Sequence, residues 1–207
     1  VFLNGELEGN KEFYQNYIVD TDQIYCADGG ADYAYQLNLT PNLILGDLDS
    51  ISKKTMKFYQ NKGVEFKEYP AEKNKSDTEI LLERLLAKDY EQLVLFAALG
   101  GRFDHALANL YTLEGLFTSE TEIKIVTPKN QIELIKDEKI IKDNQGKTIS
   151  LLPLSQEVRG VTLSGFKYKL QNDILKRGSS LGLSNIIKED LATIKIEQGT
   201  LLILINY

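Results

Sequence analysis

The 207-residue chain has one cysteine and one histidine, and both shortages exclude kinds of site. A single cysteine, Cys26, cannot form a disulfide within the chain, which fits a reducing compartment, so we expect a cytoplasmic protein. Cys26 lies in the apolar run QIYCA and is predicted to be a small core residue. The lone His105 excludes a multi-histidine metal site, so any metal here must rely mainly on oxygen ligands.

Long hydrophobic runs and an excess of positive charge are also missing. The longest apolar runs, residues 93–99 and 201–205, fall far short of the roughly 20 residues that a membrane helix needs. The start of the chain has no basic segment, so no signal peptide is predicted. The chain carries 24 basic and 30 acidic residues, a net charge of −6, which argues against general nucleic-acid binding. We therefore expect neither a membrane nor a nucleic acid as a partner.

The first half of the chain alternates short apolar runs with amphipathic segments. This rhythm predicts strands at 1–4, 23–27, 43–46, 64–69 and 92–99. Between and after them it predicts helices at 9–17, 29–38, 52–62, 76–88 and 103–118. Such alternation is typical of a three-layer α/β domain with a mostly parallel sheet, which we assign to residues 1–127.

The second half has a different rhythm. Beyond about residue 121 the apolar segments become short and rich in β-branched residues, and they often alternate with period two. Turn signals such as Ser164-Gly165 and Gln198-Gly199 separate these segments, and no long helical stripe is present. We predict an antiparallel β-sandwich or barrel over residues 128–207, with the boundary near 127–130.

Polar residues that follow the predicted strands are the candidates for a site, because open α/β sheets bind ligands at the carboxyl ends of their strands. In CADGGAD, Asp28 stands at a strand tip and Gly29-Gly30 lead into a helix. Glycines let a ligand approach the backbone closely, and a helix N-terminus favours anions. A helix-capping aspartate in a tight turn explains the same residues equally well.

The stretch LILGDLDSI delivers two carboxylates to the end of another strand. Asp47 and Asp49 stand two apart on an extended backbone and point the same way, so they can converge on one point. Carboxylates forced together repel unless a cation lies between them, and Mg²⁺ prefers such oxygen ligands together with substrate phosphates. We predict a metal role for at least one of them, with helix capping by Asp49-Ser50 as the alternative.

The next two strand ends add acids and an arginine. In KSDTE, Asp77 follows the fourth predicted strand, while Ser76 and Glu79 fit a capping box for the helix behind it. In GGRFDH, two glycines make a tight turn before Arg102, whose guanidinium suits phosphate oxygens. Asp104 could cap the helix, hold Arg102 or reach a metal. Together these turns predict a rim that binds a divalent metal and a polyphosphate.

These motifs in this order resemble the thiamine pyrophosphokinase family. The matching segments are ADGGAD, GDLDS, KSDTE and GGRFDH in the first half and GFKYKLQND and SSLGLSN in the second, so the resemblance covers essentially the whole chain. It implies a homodimer whose subunits each have an α/β catalytic domain and a C-terminal β-sandwich, with thiamine bound between subunits. It also implies a Mg²⁺-dependent transfer of a pyrophosphoryl group from ATP to the thiamine hydroxyl, with release of AMP.

The resemblance assigns roles to residues of this chain. Mg²⁺ and the catalytic centre fall to Asp47, Asp49 and Asp77, with Arg102 as a further catalytic residue. The nucleotide and its phosphates fall to Asp28, Gly29, Gly30, Gly101, Arg102 and Asp104. Thiamine falls to Tyr168, Ser184 and Asn185.

Departures from the family pattern keep other readings open. Asn74 stands where relatives often have Asp, Asp32 stands where some have Asn, and the aromatic residue at 168 is Tyr rather than Trp. One alternative is a different metal-dependent phosphotransferase or nucleotidyltransferase. Another is a non-catalytic nucleotide-binding regulator, and a third is a structural protein whose aspartates only cap helices.

Overall fold

The computed structural model of the chain describes residues 1–19, 22–118 and 120–207. The chain divides into two compact units, Val1–Leu116 and Phe117–Tyr207. The domain boundary predicted from the sequence at 127/128 stays a prediction. The compact units divide nearer to the N-terminus, between Leu116 and Phe117. Among the described residues, no helix is both long enough and apolar enough to cross a bilayer.

A parallel sheet forms the centre of the first unit. Its strands are β1 (Tyr25–Ala27), β2 (Leu43–Gly46) and β3 (Glu65–Glu68), hydrogen-bonded in that order. Phe2 makes parallel bridges to both Cys26 and Phe96, so the N-terminal segment lies between β1 and the end of β4 (Gln92–Leu95). The chain thus runs outward through β1, β2 and β3 and then returns to the other side of its first segment. Ligands of open α/β sheets bind beyond the carboxyl ends of strands at such a reversal.

Helices connect these strands where the sequence predicts them. Their bounds are α1 Lys11–Gln15, α2 Gly30–Gln36, α3 Lys53–Asn61, α4 Asp77–Leu86 and α5 Phe103–Leu116. Helix α4 buries Leu81, Leu82 and Leu85 against the sheet and turns charged residues such as Glu83 outward. Ser76 accepts a hydrogen bond from the Glu79 N–H and so caps α4, as predicted.

The interior of the sheet is apolar on both faces. Every residue of β1 and β2 is buried, because helices cover a parallel sheet on its two sides. Cys26 is fully buried in β1, as predicted, and burial raises the pKa of its thiol to about 12. The thiol therefore stays protonated and behaves as a small apolar side chain.

The second unit is antiparallel β-structure. Its strands are β5 Glu122–Val126, β6 Asn130–Ile135, β7 Glu138–Lys142, β8 Thr148–Pro153, β9 Glu157–Ser164, β10 Asp173–Lys176, β11 Asn185–Ile186, β12 Leu191–Lys195 and β13 Leu201–Asn206. They form one sheet in the order β11-β8-β13-β6-β5 and another in the order β10-β9-β12-β7. The predicted fold class, α/β followed by antiparallel β-sandwich, is confirmed.

Alternating apolar residues of these strands make the core of the second unit. Ile149 and Leu151 of β8 and Ile203 and Ile205 of β13 belong to one buried apolar cluster. Strand β13 pairs with β6 on one side and β8 on the other, so the C-terminal run LLILI is an internal sandwich strand.

This packing predicts different effects for the same substitution at two isoleucines of the sandwich. Ile203 is 2% exposed and Ile140 is 51% exposed. We expect Ile203→Ala to lower the free energy of unfolding by about 2–5 kcal/mol, because it removes buried methylenes and leaves a cavity. Ile140→Ala should cost less than about 1 kcal/mol. Urea unfolding followed by circular dichroism measures both, and equal losses would contradict the assignment of this core.

Candidate functional site

Asp28 stands directly after β1, where the strand turns toward α2. Its backbone is in the left-handed region, with φ of 44°, and its N–H donates to the Leu45 carbonyl at 2.8 Å. The side chain is 5% exposed, and its Oδ1 accepts the Ser50 N–H at 3.3 Å. Helix α2 begins after Gly29 with no side-chain cap from the described residues, so the helix-capping alternative for Asp28 is wrong.

The loop after β2 brings Asp47 and Asp49 to the same place. Leu48, between them, has φ of 64°, and this left-handed residue folds the loop so that both acids face Asp28. Asp47 Oδ1 accepts the Asp49 N–H at 3.3 Å, and the Ser50 hydroxyl donates to Asp49 Oδ1 at 2.9 Å. Ser52, not Asp49 or Ser50, caps α3, so the capping alternative for those two residues is wrong as well.

Among the described residues, Asp28, Asp47 and Asp49 form a group whose carboxylate oxygens lie within 4.8 Å of one another. Burial is the largest cause of the raised pKa of Asp28. The hydrogen bonds from Ser50 lower this pKa, and the negative charges of Asp47 and Asp49 raise it further. Asp28 is buried, Asp47 is half-buried and Asp49 is exposed. Crowding of like charges is unfavourable, and a cation that shares their charge would relieve it. Three convergent oxygen ligands fit a hard divalent cation such as Mg²⁺.

Asp77, the first residue of α4, lies outside this group but within its electrostatic reach. Burial raises its pKa, Lys73 lowers it, and Asp47 and Asp49 raise it again. The Lys73 ammonium lies 3.2 Å from Asp77 Oδ1. That distance makes an ion pair with a buried oxygen, and the contact with Lys73 opposes the effect of burial on this carboxyl. Asp77 thus lies beside the acidic group and is paired with Lys73.

Two different structural requirements favour glycine at the strand ends. A Cβ on Gly29 would meet the Asn4 side chain, and one on Gly30 would meet the Phe2 carbonyl. These two residues let the first segment of the chain pass close to α2, so close packing within the protein already requires them. Gly101 has φ of 62°, a left-handed turn that favours glycine, and no described atom lies within 4 Å of a Cβ built there.

Arg102 and Asp104 pair with each other at the start of α5. The guanidinium donates from Nε to Asp104 Oδ1 at 3.2 Å and from Nη2 to Oδ2 at 2.6 Å. These hydrogen bonds lower the pKa of Asp104, and both side chains are exposed. Among the alternatives for Asp104, the structure therefore has the one in which it holds Arg102. His105 beside them is exposed.

In the second unit, Asn185 organises the backbone at Tyr168. Its Oδ1 accepts the Tyr168 N–H at 3.0 Å and its Nδ2 donates to the Tyr168 carbonyl at 2.7 Å. Asn185 is 5% exposed, whereas the Tyr168 ring is 56% exposed, with the Lys167 ammonium 5.0 Å from its centroid. Ser184 is exposed and left-handed, with φ of 55°, and its N–H donates to the Ser150 hydroxyl.

Sequence reasoning missed supporting residues and one member of the acidic group. The resemblance assigns Asp28 to the nucleotide, which stays a prediction, and the structure groups its carboxylate with those of Asp47 and Asp49. This grouping depends on β1 and β2 being neighbours in the parallel sheet, and neither motif alone shows which strands are neighbours. Ser50 and Ser52 carried a weak signal, since a serine near a helix start usually reads as a cap.

Two family models match this chain. The one described as thiamin pyrophosphokinase, catalytic domain, matches residues 14–127. The one described as thiamin pyrophosphokinase, vitamin B1 binding domain, matches residues 129–201. The matches follow each other along the chain and together cover most of it.

Similar proteins and structures carry the same name. Thiamine pyrophosphokinase of Bacillus subtilis (strain 168) is 28% identical over 179 residues, which cover 86% of this chain and 84% of that protein. Thiamine pyrophosphokinase 2 of Arabidopsis thaliana is 28% identical over 202 residues, covering 85% and 75%. The Bacillus subtilis crystal structure has a TM-score of 0.86 at 25% identity and covers 99% of this chain and 96% of that one. The one from Geobacillus thermodenitrificans has a TM-score of 0.85 at 27% identity, covering 99% and 95%.

The raised pKa of Asp28 predicts a stability change with a definite sign. A carboxylate whose pKa is higher in the folded than in the unfolded state lowers the free energy of unfolding when it ionises. This loss begins as pH rises through the ordinary pKa of 3.8 and is complete above the raised pKa. Asn has nearly the same shape and no charge, so we expect Asp28→Asn in EDTA at pH 7 to raise Tm by about 2–4 °C. Below the ordinary pKa the difference should vanish.

Calorimetry of both proteins with EDTA and with Mg²⁺ measures this effect. Mg²⁺ should raise the Tm of the wild type and have a much smaller effect on Asp28→Asn. The control is Asp89→Asn. It changes an exposed aspartate just before β4, at the amino ends of the strands, and should leave both Tm values unchanged. A lower Tm for Asp28→Asn in EDTA would contradict the electrostatic account.

Proposed function

The chain belongs to the thiamine pyrophosphokinase family, and we propose that it transfers the pyrophosphoryl group of ATP to the hydroxyl of thiamine, giving thiamine diphosphate and AMP. The observation that carries the proposal is the convergence of Asp28, Asp47 and Asp49 at the carboxyl edge of the sheet, where the direction of strand progression reverses. Open α/β sheets bind nucleotides at this edge. The match to a vitamin B1 binding domain supports thiamine as the molecule that accepts the pyrophosphoryl group.

Mg²⁺ is the proposed metal, held by Asp47 and Asp49 with Asp28 as the buried third carboxylate. The three oxygen ligands converge within 4.8 Å of one another. When bound there, Mg²⁺ would neutralise charge on the polyphosphate of ATP. Asp77 was also predicted as a ligand from the sequence. Its place outside the group but close to Asp47 and Asp49 favours a role toward the reacting alcohol instead.

The reaction needs a nucleophile, a leaving group and a place for one proton. The thiamine hydroxyl oxygen forms a bond to the β-phosphorus, the bond from that phosphorus to the α–β bridging oxygen breaks, and AMP leaves. Asp77 orients the hydroxyl and accepts its proton, and the raised pKa of this carboxyl makes it a better base than an ordinary aspartate. Arg102 stabilises negative charge on the phosphoryl oxygens and exchanges its pairing with Asp104 for the nucleotide.

Thiamine recognition falls to the second unit in this proposal. Asn185 uses its side chain to fix the backbone on both sides of the Tyr168 peptide, which leaves the exposed ring in a defined place. A planar aromatic ring of this kind suits stacking against a heteroaromatic substrate. Ser184, exposed next to Asn185, offers a hydroxyl. We also propose a cytoplasmic homodimer in which the thiamine site is completed by the partner subunit.

A coupled assay for AMP tests the proposed function. Purified protein is incubated with ATP, Mg²⁺ and thiamine, and controls omit thiamine or add EDTA. AMP that depends on thiamine, with an equal amount of thiamine diphosphate, is expected. ADP or free phosphate instead would indicate another transferase or a hydrolase. Folded protein that binds ATP without turnover would indicate a nucleotide-binding regulator.

Asp47→Asn tests the metal role of the acidic group. It removes the charge of one carboxylate while keeping the shape of the side chain, so turnover should fall by about 10²–10³-fold or more, the order that losing an electrostatic contact to the transition state costs. Tm should stay within a few degrees of the wild type. Asp89→Asn serves again as the matched control and should keep full turnover. Near-normal activity of Asp47→Asn would exclude the metal role.

Substitutions at Tyr168 test the thiamine site. We expect Tyr168→Ala to raise the KM for thiamine by up to about tenfold, since an aromatic pair contributes roughly 0.5–1.5 kcal/mol beyond its area. Tyr168→Phe keeps the ring and should stay close to the wild type. The KM for ATP is the internal control and should not change in either variant. A thiamine KM unaffected by loss of the ring would contradict the assignment.

A further inference from the structure

Asp32, in the first turn of α2, connects that helix to the far end of the loop that carries Asp47 and Asp49. Its Oδ2 accepts the Ser52 N–H at 2.8 Å, and its Oδ1 accepts the Ser52 hydroxyl at 2.6 Å. Oδ1 also accepts the hydroxyl of Thr55, which is 1% exposed. A carboxylate that accepts three hydrogen bonds from one neighbouring segment fixes the position of that segment.

The segment that Asp32 fixes is the end of the acidic loop. At its beginning, the loop is anchored by Gly46 in β2, which pairs with Glu68 of β3. At its end, Ser52 is the N-cap of α3, and its hydroxyl accepts the Thr55 N–H at 3.3 Å. The carboxylate of Asp32 therefore joins the second end of the loop to helix α2.

The loop needs such an anchor because its own conformation is unfavourable. Leu48 holds a left-handed backbone, which a residue with a Cβ adopts only when its surroundings impose it. Asp28, Asp47 and Asp49 also repel one another before a cation arrives. Both effects push the loop away from the geometry in which its carboxylates converge.

The other hydrogen bonds to the loop use the same carboxylates that would hold the metal. The Asp49 N–H donates to Asp47 and the Ser50 N–H donates to Asp28, each at 3.3 Å. A cation held by these carboxylates would compete for the same oxygens, so these bonds would not by themselves fix the loop. Asp32 is outside the acidic group, and its bonds to Ser52 are shorter.

We propose that Asp32 is a positioning residue whose bonds to Ser52 hold Asp47 and Asp49 in register for a divalent cation. Its catalytic consequence rests on the proposed function, whereas its consequence for metal binding does not. The role is one of hydrogen bonding and not of charge. The amide of Asn can reproduce it, because its oxygen can accept the Ser52 N–H while its NH₂ donates to the hydroxyls of Ser52 and Thr55.

The test measures Mn²⁺ binding by electron paramagnetic resonance of free Mn²⁺, on the full chain without ATP or thiamine. Asp32→Ala should weaken Mn²⁺ binding by about 10–100-fold, the usual effect of removing a partner that orients metal ligands. Asp32→Asn should stay within about threefold of the wild type, because it preserves the hydrogen bonds. No AMP is needed for this measurement, so failure of the proposed function and failure of this inference are distinguishable.

Thr55→Val is the matched structural control. It removes the hydrogen bonds that the Thr55 hydroxyl makes with Asp32 and with the Ser52 hydroxyl, and it leaves the bonds between Asp32 and Ser52 in place. We expect a lower Tm with nearly unchanged Mn²⁺ affinity. If Asp32 only stabilised the packing of α2 on α3, Asp32→Ala and Thr55→Val would both lower Tm and both leave Mn²⁺ binding unchanged, and that result overturns the proposal.

The remaining outcomes are also decisive. Asp32→Ala that binds Mn²⁺ like the wild type overturns the proposal, and so does an Asp32→Asn that is as weak as Asp32→Ala, because the charge would then be what matters. A wild type that binds no Mn²⁺ overturns it too. If Asp32→Ala does not fold, the double variant Asp32→Ala, Thr55→Val removes the unpaired buried hydroxyl, and its Mn²⁺ affinity is compared with that of Thr55→Val alone.

Discussion

Repulsion between carboxylates is the constraint on which the catalytic half of this molecule depends. Asp28, Asp47 and Asp49 bring their oxygens within 4.8 Å of one another, and Asp28 is almost fully buried. No sequence gains stability from such a group in the absence of a cation. The surrounding structure therefore has to supply what the group itself opposes. It does so with a left-handed Leu48, with helix and strand anchors at both loop ends, and with serines that donate to the acids.

The parallel sheet makes this arrangement possible with short segments of chain. Strands β1 and β2 are adjacent and in register from Tyr25↔Leu43 to Ala27↔Leu45, so the residues that follow them come out at one edge. The strands are buried and apolar throughout, which gives the acids a rigid base with little conformational freedom of its own. In the second unit the same division recurs, since a buried Asn185 fixes the backbone and an exposed Tyr168 faces outward.

Much of this could be predicted from the sequence, because periodicity and strand-end chemistry are local. The five helical segments and the change to antiparallel strands follow from patterns of apolar residues, and GDLDS predicts a metal site without any contact information. The grouping of Asp28 with Asp47 could not be read from either motif alone, since it depends on which strands are neighbours. Asp32 has no role assigned from the sequence, because it stands where some relatives have Asn. Its partners Ser52 and Thr55 are twenty or more residues away and are met only through the packing of α2 on α3.

The buried cysteine of β1 has a practical consequence. Its thiol is inaccessible and stays protonated near neutral pH, so it should not react with maleimides or spin-label reagents in the folded protein. The natural chain is therefore a cysteine-free background as far as surface chemistry is concerned. A cysteine introduced at an exposed position in either unit would be the only one to take a fluorophore or nitroxide. Distances between such labels could follow how this molecule moves during a reaction cycle without first removing a native residue.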